Sequence, residues 1–236
     1  MEEIRPPLLI ASLLIAIMSL TGCAGTRNPA DPLEPLNRGI YRFNDSVDRA
    51  VIKPVSQGYK AVMPLPGRIM VGNFISNLDD VLITANDLLQ LKFTQAASDG
   101  TRVLINSTFG VLGLFDVAHR LEKHNEDFGQ TLGYWGVSSG PYLVLPLLGP
   151  SSVRDATGLY VDGFASVPYN IRHVPTRNQY YAVSGIHLRS ELLDQEKVLD
   201  VAVIDRYEFV RDTYLLRRRS LVFDGNPPRE RYDFQE

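Results

Sequence analysis

The sequence predicts a mainly α protein, one domain of amphipathic helices around an irregular centre, placed behind an N-terminal export signal. Three observations carry this. Apolar residues recur at helical spacing through most of the chain. Glycine and proline crowd into a central stretch from Gly129 to Pro150. A short apolar run at the start ends in a processing motif.

That run extends from Leu8 to Leu20 and is interrupted only by Ser12 and Ser19. It is well short of the roughly 20 residues a helix needs to cross a bilayer. It ends in Leu20-Thr21-Gly22-Cys23, which matches the bacterial lipobox. There the cysteine thiol takes a diacylglyceryl group, the peptide is cut just before it, and the new amine is acylated. The segment departs from the usual pattern before the apolar run, where Glu2 and Glu3 outnumber Arg5. Residues 1–22 are read as a signal peptide and 23–30 as a lipidated N-terminus with a short tether. The helical domain spans 31–223, and 224–236 is a polar C-terminal tail. Cys23 is the only cysteine, so no internal disulfide forms and a lipid-bearing role explains its isolation. One acyl chain anchors marginally, whereas two or three hold effectively permanently. Ala24 stands where aspartate would favour inner-membrane retention, which points to the outer membrane.

Cleavage before Cys23 leaves 214 of the 236 residues, enough for one sizeable core. The formal charge moves from −3 to −2 with the loss of Glu2, Glu3 and Arg5. No field of one sign remains, which argues against nucleic-acid binding.

In chain order, Pro35 suits the first turn of a helix. Leu36, Ile40, Phe43, Val47 and Val51 then fall within about 80° of one another at 100° per residue. Arg38, Arg42, Asp45, Asp48 and Arg49 take the opposite side, and Lys53-Pro54 ends the helix. Further helices are expected over Pro54–Val62, Pro66–Leu78, Val81–Leu91, Thr94–Ser107 and Leu112–Arg120. The glycines and prolines from Gly129 to Pro150 forbid a long regular helix. Tyr142–Leu145 fits a short strand or extended passage, and Ser151 a following N-cap. Thr176 to Gln179 has capping-box spacing. It opens a helical region to about Val222, with a break near Asp194.

Motifs for catalysis are weak. Gly136-Val137-Ser138-Ser139-Gly140 matches the G-x-S-x-G nucleophile elbow, but Pro141 and Pro146 block the helix that motif requires. His119 and His124 would diverge by about 140° on one helix, and His173 and His187 are isolated. No metal site is expected. Asp127, Asp155 and Asp162 suit buried hydrogen bonding to turn backbone. Arg217-Arg218-Arg219 reads as a solvated helix end or a contact for anionic headgroups.

Several uncommon strings occur in a fixed order: Asp31-Pro32-Leu33-Glu34-Pro35-Leu36-Asn37-Arg38, Tyr41-Arg42-Phe43-Asn44-Asp45 and Lys53-Pro54-Val55, then Asn73 to Leu78 and Asn86 to Gln90. The most specific runs from Glu126 to Val137, continuing through Gly140–Pro146, Leu148–Ser151 and Arg154-Asp155. Over most of the mature chain they resemble the MlaA/VacJ family of outer-membrane lipoproteins. Departures are Val81 at a frequent proline, and Leu91, Leu112 and Ser138 at frequent glycines. The resemblance implies a ring-like helical domain in the inner leaflet of the outer membrane, with an amphipathic channel through it. Such proteins remove phospholipids mislocalised to the outer leaflet and pass them to a soluble periplasmic carrier. An inner-membrane ABC-type complex takes the lipid onward, and many members associate with trimeric porins. Moving a lipid breaks no bond, so no enzyme chemistry and no cofactor beyond the lipid on Cys23 is expected. The stripe of Leu36, Ile40, Phe43 and Val47 is a candidate membrane contact, with core packing as its alternative. Gly129, Gly133, Gly136, Gly140 and Pro141 are candidates for channel lining or a hinge, with a tight core connection as theirs. A structural porin-associated lipoprotein and an envelope serine hydrolase are the competing functions.

Overall fold

A computed structural model describes residue 28, residues 31–202 and residues 204–228, with backbone alone over 197–202. The signal segment, Cys23 and most of the polar tail lie outside the described residues. The elements are α1 (Glu34–Val47), a π-helical turn (Asp48–Ile52), α2 (Lys53–Val62), α3 (Leu65–Leu89), α4 (Phe93–Thr108) and α5 (Phe128–Tyr134). Strands β1 (Tyr142–Leu145) and β2 (Gly149–Ser152) follow, then α6 (Val153–Ala165), a 3-10 turn (Pro168–Asn170), α7 (Val174–Ala202) and α8 (Arg206–Val222). Among the described residues no helix is long and apolar enough to cross a membrane.

The packing closes on itself. α1 lies on β1, β1 pairs with β2, and β2 meets α8. α8 meets α5, α5 meets α3, α3 meets α7, α7 meets α2, and the π-helical turn joins α2 back to α1. This circuit is the ring-like, mainly α domain, with the irregular centre contributing its β hairpin. The strand expected at Tyr142–Leu145 is present. Its antiparallel partner β2 was not anticipated, because Gly-Pro-Ser-Ser carries no strand signal. The register pairs Tyr142 with Ser152 and Leu145 with Gly149. Pro150 is tolerated because the hairpin has only two strands, so both are edges.

Several boundaries differ from those the sequence suggests. Lys53-Pro54 does not end the first helix. A wider turn intervenes, with Lys53 N donating to Asp48 O, and it takes up the proline ring that a regular turn would set against a carbonyl. Pro66–Leu78 and Val81–Leu91 fuse into the single helix α3. At the junction Asn77 and Asp80 are buried while Asp79 turns out: Asn77 Nδ2 donates to Ser107 Oγ of α4 at 3.0 Å, and Asp80 pairs with Lys123.

Leu112–Arg120 forms no helix. Val111, Leu112 and Gly113 all take positive φ, and side chains of α4 bind the loop instead. Arg102 Nη1 donates to the carbonyls of Ala118 and Leu121 at 2.9 and 3.0 Å, and Ala118 N donates to Asn106 Oδ1 at 2.9 Å. Ser152, not Ser151, caps α6, accepting from Asp155 N at 3.1 Å. The Thr176 capping box does not form, since α7 has already begun at Val174. His173 Nδ1 meets Thr176 Oγ1 instead, at 2.8 Å. The break expected near Asp194 comes after Ala202, where Asp205 caps α8 through Tyr207 N and Glu208 N.

Candidate functional site: an amphipathic cleft

The interior is polar and much of the exterior is apolar. Asp80, Asp87, Asp99, Gln90, Thr131 and Ser190 are fully buried, while Leu36, Phe43, Val62, Leu104, Phe109 and Leu216 are exposed. A soluble helix turns its apolar face inward. Here α1 does otherwise: Leu36 is 57% and Phe43 52% exposed, while Asn37 is 1% exposed. Asn37 acts as a surrogate backbone amide for β1. Its Nδ2 donates to Tyr142 O and its Oδ1 accepts from Val144 N, both at 2.9 Å. Asn44, two turns on, repeats this with Leu145 O at 2.9 Å and Leu147 N at 2.8 Å. The inward direction of α1 is therefore rotated roughly 70° from the centre of its apolar stripe. Within that stripe Ile40 turns inward, packing on Tyr142, Val144 and Tyr207, and Val47 is half-buried.

Inside the circuit lies a cleft of about 590 Å³ between α1, the π-helical turn, the β hairpin, α7 and α8. Ile52, Leu147, Leu148, Leu188, Leu192 and Val210 supply apolar wall. Asp45, Asp48, Arg189, Glu196 and Arg206 line the same cavity. Arg189 grips Asp48 with a two-pronged bond, Nε to Oδ1 at 2.7 Å and Nη2 to Oδ2 at 2.8 Å. It also donates to Glu196 Oε2 at 2.6 Å, and Lys53 Nζ takes Glu196 Oε1 at 3.0 Å. Burial alone would raise the Glu196 pKa, but hydrogen bonds from Arg189 and Lys53 hold it below its ordinary value. The hydrogen bond to Asp48, ahead of burial acting the other way, holds Arg189 firmly charged. The cleft thus sets a small ionic cluster against hydrocarbon, an arrangement suited to a molecule with a charged head and apolar chains.

The model of a protein family described as MlaA lipoprotein matches residues 29–221, more than half of the chain. The chain belongs to the MlaA lipoprotein family. It is 33% identical over 228 residues to the intermembrane phospholipid transport system lipoprotein MlaA of Escherichia coli (strain K12), spanning 92% of this chain and 89% of that one. The Haemophilus influenzae protein of the same name is 30% identical over 92% of this chain and 91% of its own length. An uncharacterized protein of Rickettsia bellii is 33% identical over 84% of this chain and 79% of its own. The fold also matches a solved structure from work on the "Structural basis for maintenance of bacterial outer membrane lipid asymmetry", with a TM-score of 0.72 and 31% identity. That match covers 83% of this chain and 99% of the other.

In this MlaA-family chain the glycine-rich segment stands beside the cleft rather than along it. None of Gly129, Gly133, Gly136, Gly140 and Pro141 is among the residues lining that cavity. Gly129 lies where α5 crosses α6: a Cβ at Gly158 would come within 2.2 Å of Gly129 N, so side chains on both helices would keep them apart. Gly133 abuts Arg154 and Val222. Gly136 closes α5 at φ +91°, with Gly136 N on Gly133 O and Val137 N on Leu132 O, the Schellman pattern. Gly140, also at positive φ, precedes Pro141, whose carbonyl accepts from Val153 N at 3.2 Å. Ser138 is exposed in the irregular segment between α5 and β1, so helix precedes strand and the order an elbow needs is reversed.

The carboxylates and the arginine run meet here. Arg218 is mostly buried, not a solvated helix end. Its Nη2 donates to Asp127 Oδ1 and Asp155 Oδ1, each at 2.9 Å, and its Nε to Asp155 Oδ2 at 3.0 Å. Asp155 also accepts from Tyr214 OH at 2.7 Å. Burial would raise both carboxyl pKa values, but Arg218 holds them below the usual range. Asp162 serves turn backbone as expected, accepting from Phe128 N at 2.8 Å. Sequence reasoning missed Asn37 and Asn44 as ligands of the hairpin, although their seven-residue spacing on one helix was a usable signal. It missed Arg189 and Glu196 because nothing local marks a cleft-facing arginine. Among the described residues no cluster of histidines and carboxylates could hold a metal.

Proposed function

We propose that this chain is a lipid-anchored outer-membrane protein that takes phospholipids mislocalised to the outer leaflet and passes them to a periplasmic carrier. The supporting observation is the cleft: ionic groups and hydrocarbon share one cavity inside a closed circuit of helices. The apolar exterior of that circuit suits burial in lipid, since contiguous exposed hydrocarbon marks a contact surface. The names carried by its relatives favour the same reading. Diacylglyceryl and N-acyl chains on Cys23 would hold the domain in the periplasmic leaflet, with exposed Leu36 and Phe43 adding contact. A trimeric porin is the proposed neighbour at the membrane.

Deleting the gene should expose phospholipid in the outer leaflet, read by lipid-accessible labelling, and the wild-type gene should reverse it. An unchanged outer leaflet would leave a structural, porin-associated role. Cys23→Ser should block lipidation in fatty-acid labelling and remove the protein from the outer-membrane fraction. Ser138→Ala should retain full complementation, since no bond is broken in moving a lipid. Loss of function in a folded, correctly located Ser138→Ala protein would replace transport with hydrolysis.

A further inference from the structure

We propose that the Arg189 guanidinium is the docking group for the phosphodiester of a phospholipid in the cleft, and that Asp48 is the carboxylate the phosphate displaces. This rests on the transport reading and names the part of the cleft that recognises the headgroup.

Arginine carries a planar fork of donors that fits a carboxylate and a phosphate with the same paired geometry. The Asp48 oxygens occupy both tines of that fork at 2.7 and 2.8 Å. A phosphodiester entering the cleft can take those positions with no loss of hydrogen bonds to Arg189. The surroundings favour the exchange. Glu196 is shared among three cations: Arg189 at 2.6 Å, Lys53 at 3.0 Å and Arg206 at 4.0 Å. With Asp48 set aside, Arg189 and Lys53 share the single carboxylate of Glu196, and a monoanionic phosphodiester restores the negative charge that Asp48 takes away.

The apolar walls begin beside the fork. Leu188 and Leu192 flank Arg189 along α7, and Leu147, Leu148 and Val210 line the same cavity. Acyl chains attached to a phosphate at Arg189 therefore have hydrocarbon to lie against. Asp48 opens the π-helical turn, a local irregularity of the kind found at functional sites. Displacing it releases the π-helical turn from Arg189 of α7, so headgroup binding and loosening of that seam become one event.

The test uses purified full-length lipoprotein in dodecyl maltoside micelles, titrated with acyl-chain-labelled phosphatidylglycerol and, as a phosphate-free control, acyl-chain-labelled diacylglycerol. Arg189→Ala should weaken phosphatidylglycerol binding about tenfold, or ~1.4 kcal/mol, and leave diacylglycerol binding unchanged. Arg189→Lys should fall between, keeping charge without the fork. Asp48→Asn should tighten phosphatidylglycerol binding roughly threefold by removing the competitor. Equal weakening of both lipids by Arg189→Ala, or weaker binding by Asp48→Asn, would overturn the assignment in favour of a structural ion pair. Inorganic phosphate displacing the lipid at matched concentration would make the site one for free anions and overturn it too. Wild-type protein binding neither lipid would overturn the transport reading itself, whereas wild-type binding with unaltered variants overturns only this assignment.

Discussion

Leu91 and Leu112 hold left-handed backbone at φ +60° and +57°, and both are largely exposed, at 70% and 68%. Leu91 ends α3 in a Schellman turn, its N–H on Leu88 O at 3.0 Å and Lys92 N on Asp87 O at 2.9 Å. That position suits glycine, since an L side chain there costs about 1–2 kcal/mol. The turn at Leu91 is kept with that strain accepted. Leu91→Gly should therefore stabilise the protein by about 1 kcal/mol, partly offset by the freer unfolded chain. The measurement is the urea midpoint at constant m; a lower midpoint would refute it. Gly136→Val tests the same backbone rule in reverse and should lose roughly 1–2 kcal/mol.

At the scale of the element, α1 separates two roles that its periodicity merges. Phe43 faces outward and Ile40 packs on Tyr142, Val144 and Tyr207. Ile40→Asp should destabilise the fold by several kcal/mol by placing a charge against buried rings. Phe43→Asp should leave the detergent-solubilised melting temperature within about 2 °C and reduce membrane recovery instead. Equal melting temperatures for the two would show the orientation of α1 to be wrong. Asn37→Ala strands Tyr142 O and Val144 N in a buried setting. It should cost roughly 3 kcal/mol and detach the hairpin, seen as faster amide exchange in β1.

Across the whole molecule, stability depends on buried ions of opposite pH sense. Arg218 joins α5, α6 and α8 through Asp127 and Asp155, whose pKa values are lowered. Their contribution is full above the ordinary carboxylate pKa and disappears as pH falls through the lower folded values. Arg218→Ala should cost about 2–3 kcal/mol at neutral pH, because Asp127 loses its paired guanidinium while Asp155 keeps Arg154 at 2.8 Å, with the deficit shrinking on acidification to pH 3. Asp87 behaves oppositely. Burial first, then repulsion from Asp99 and Glu126, pushes its carboxyl up to about 7, with His124 acting the other way. Its contribution is full below the unfolded pKa and is lost as pH rises through about 7. Asp87→Asn should thus gain on the order of 2 kcal/mol over wild type at pH 8, keep part of that advantage at pH 5 and lose it only below about pH 4. Urea melts across this range would decide it, and a gap constant with pH would exclude titration of Asp87.

What short-range order can encode was readable without coordinates: the α class, the amphipathic α1, the strand at Tyr142, and the ordered strings that place the chain in its family. Periodicity measures how sharply polar and apolar residues divide around a helix, but it carries no sign for the solvent. The same stripe on α1 serves a soluble core or a lipid-facing wall, and only the polar bonds of Asn37 and Asn44 to β1 show which way it turns. Arg217-Arg218-Arg219 likewise reads as one exposed run until Asp127, 91 residues away in the chain, claims Arg218. The cleft is more remote still. Arg189 and Asp48 are 141 residues apart, and the loop connecting them adds little entropy cost per residue and leaves no local signature. Local propensities and motifs determined what kind of protein this is. Tertiary packing alone decided which charged groups are buried together, because burial, and the pairing it enforces, belongs to the assembled fold and not to any segment of it.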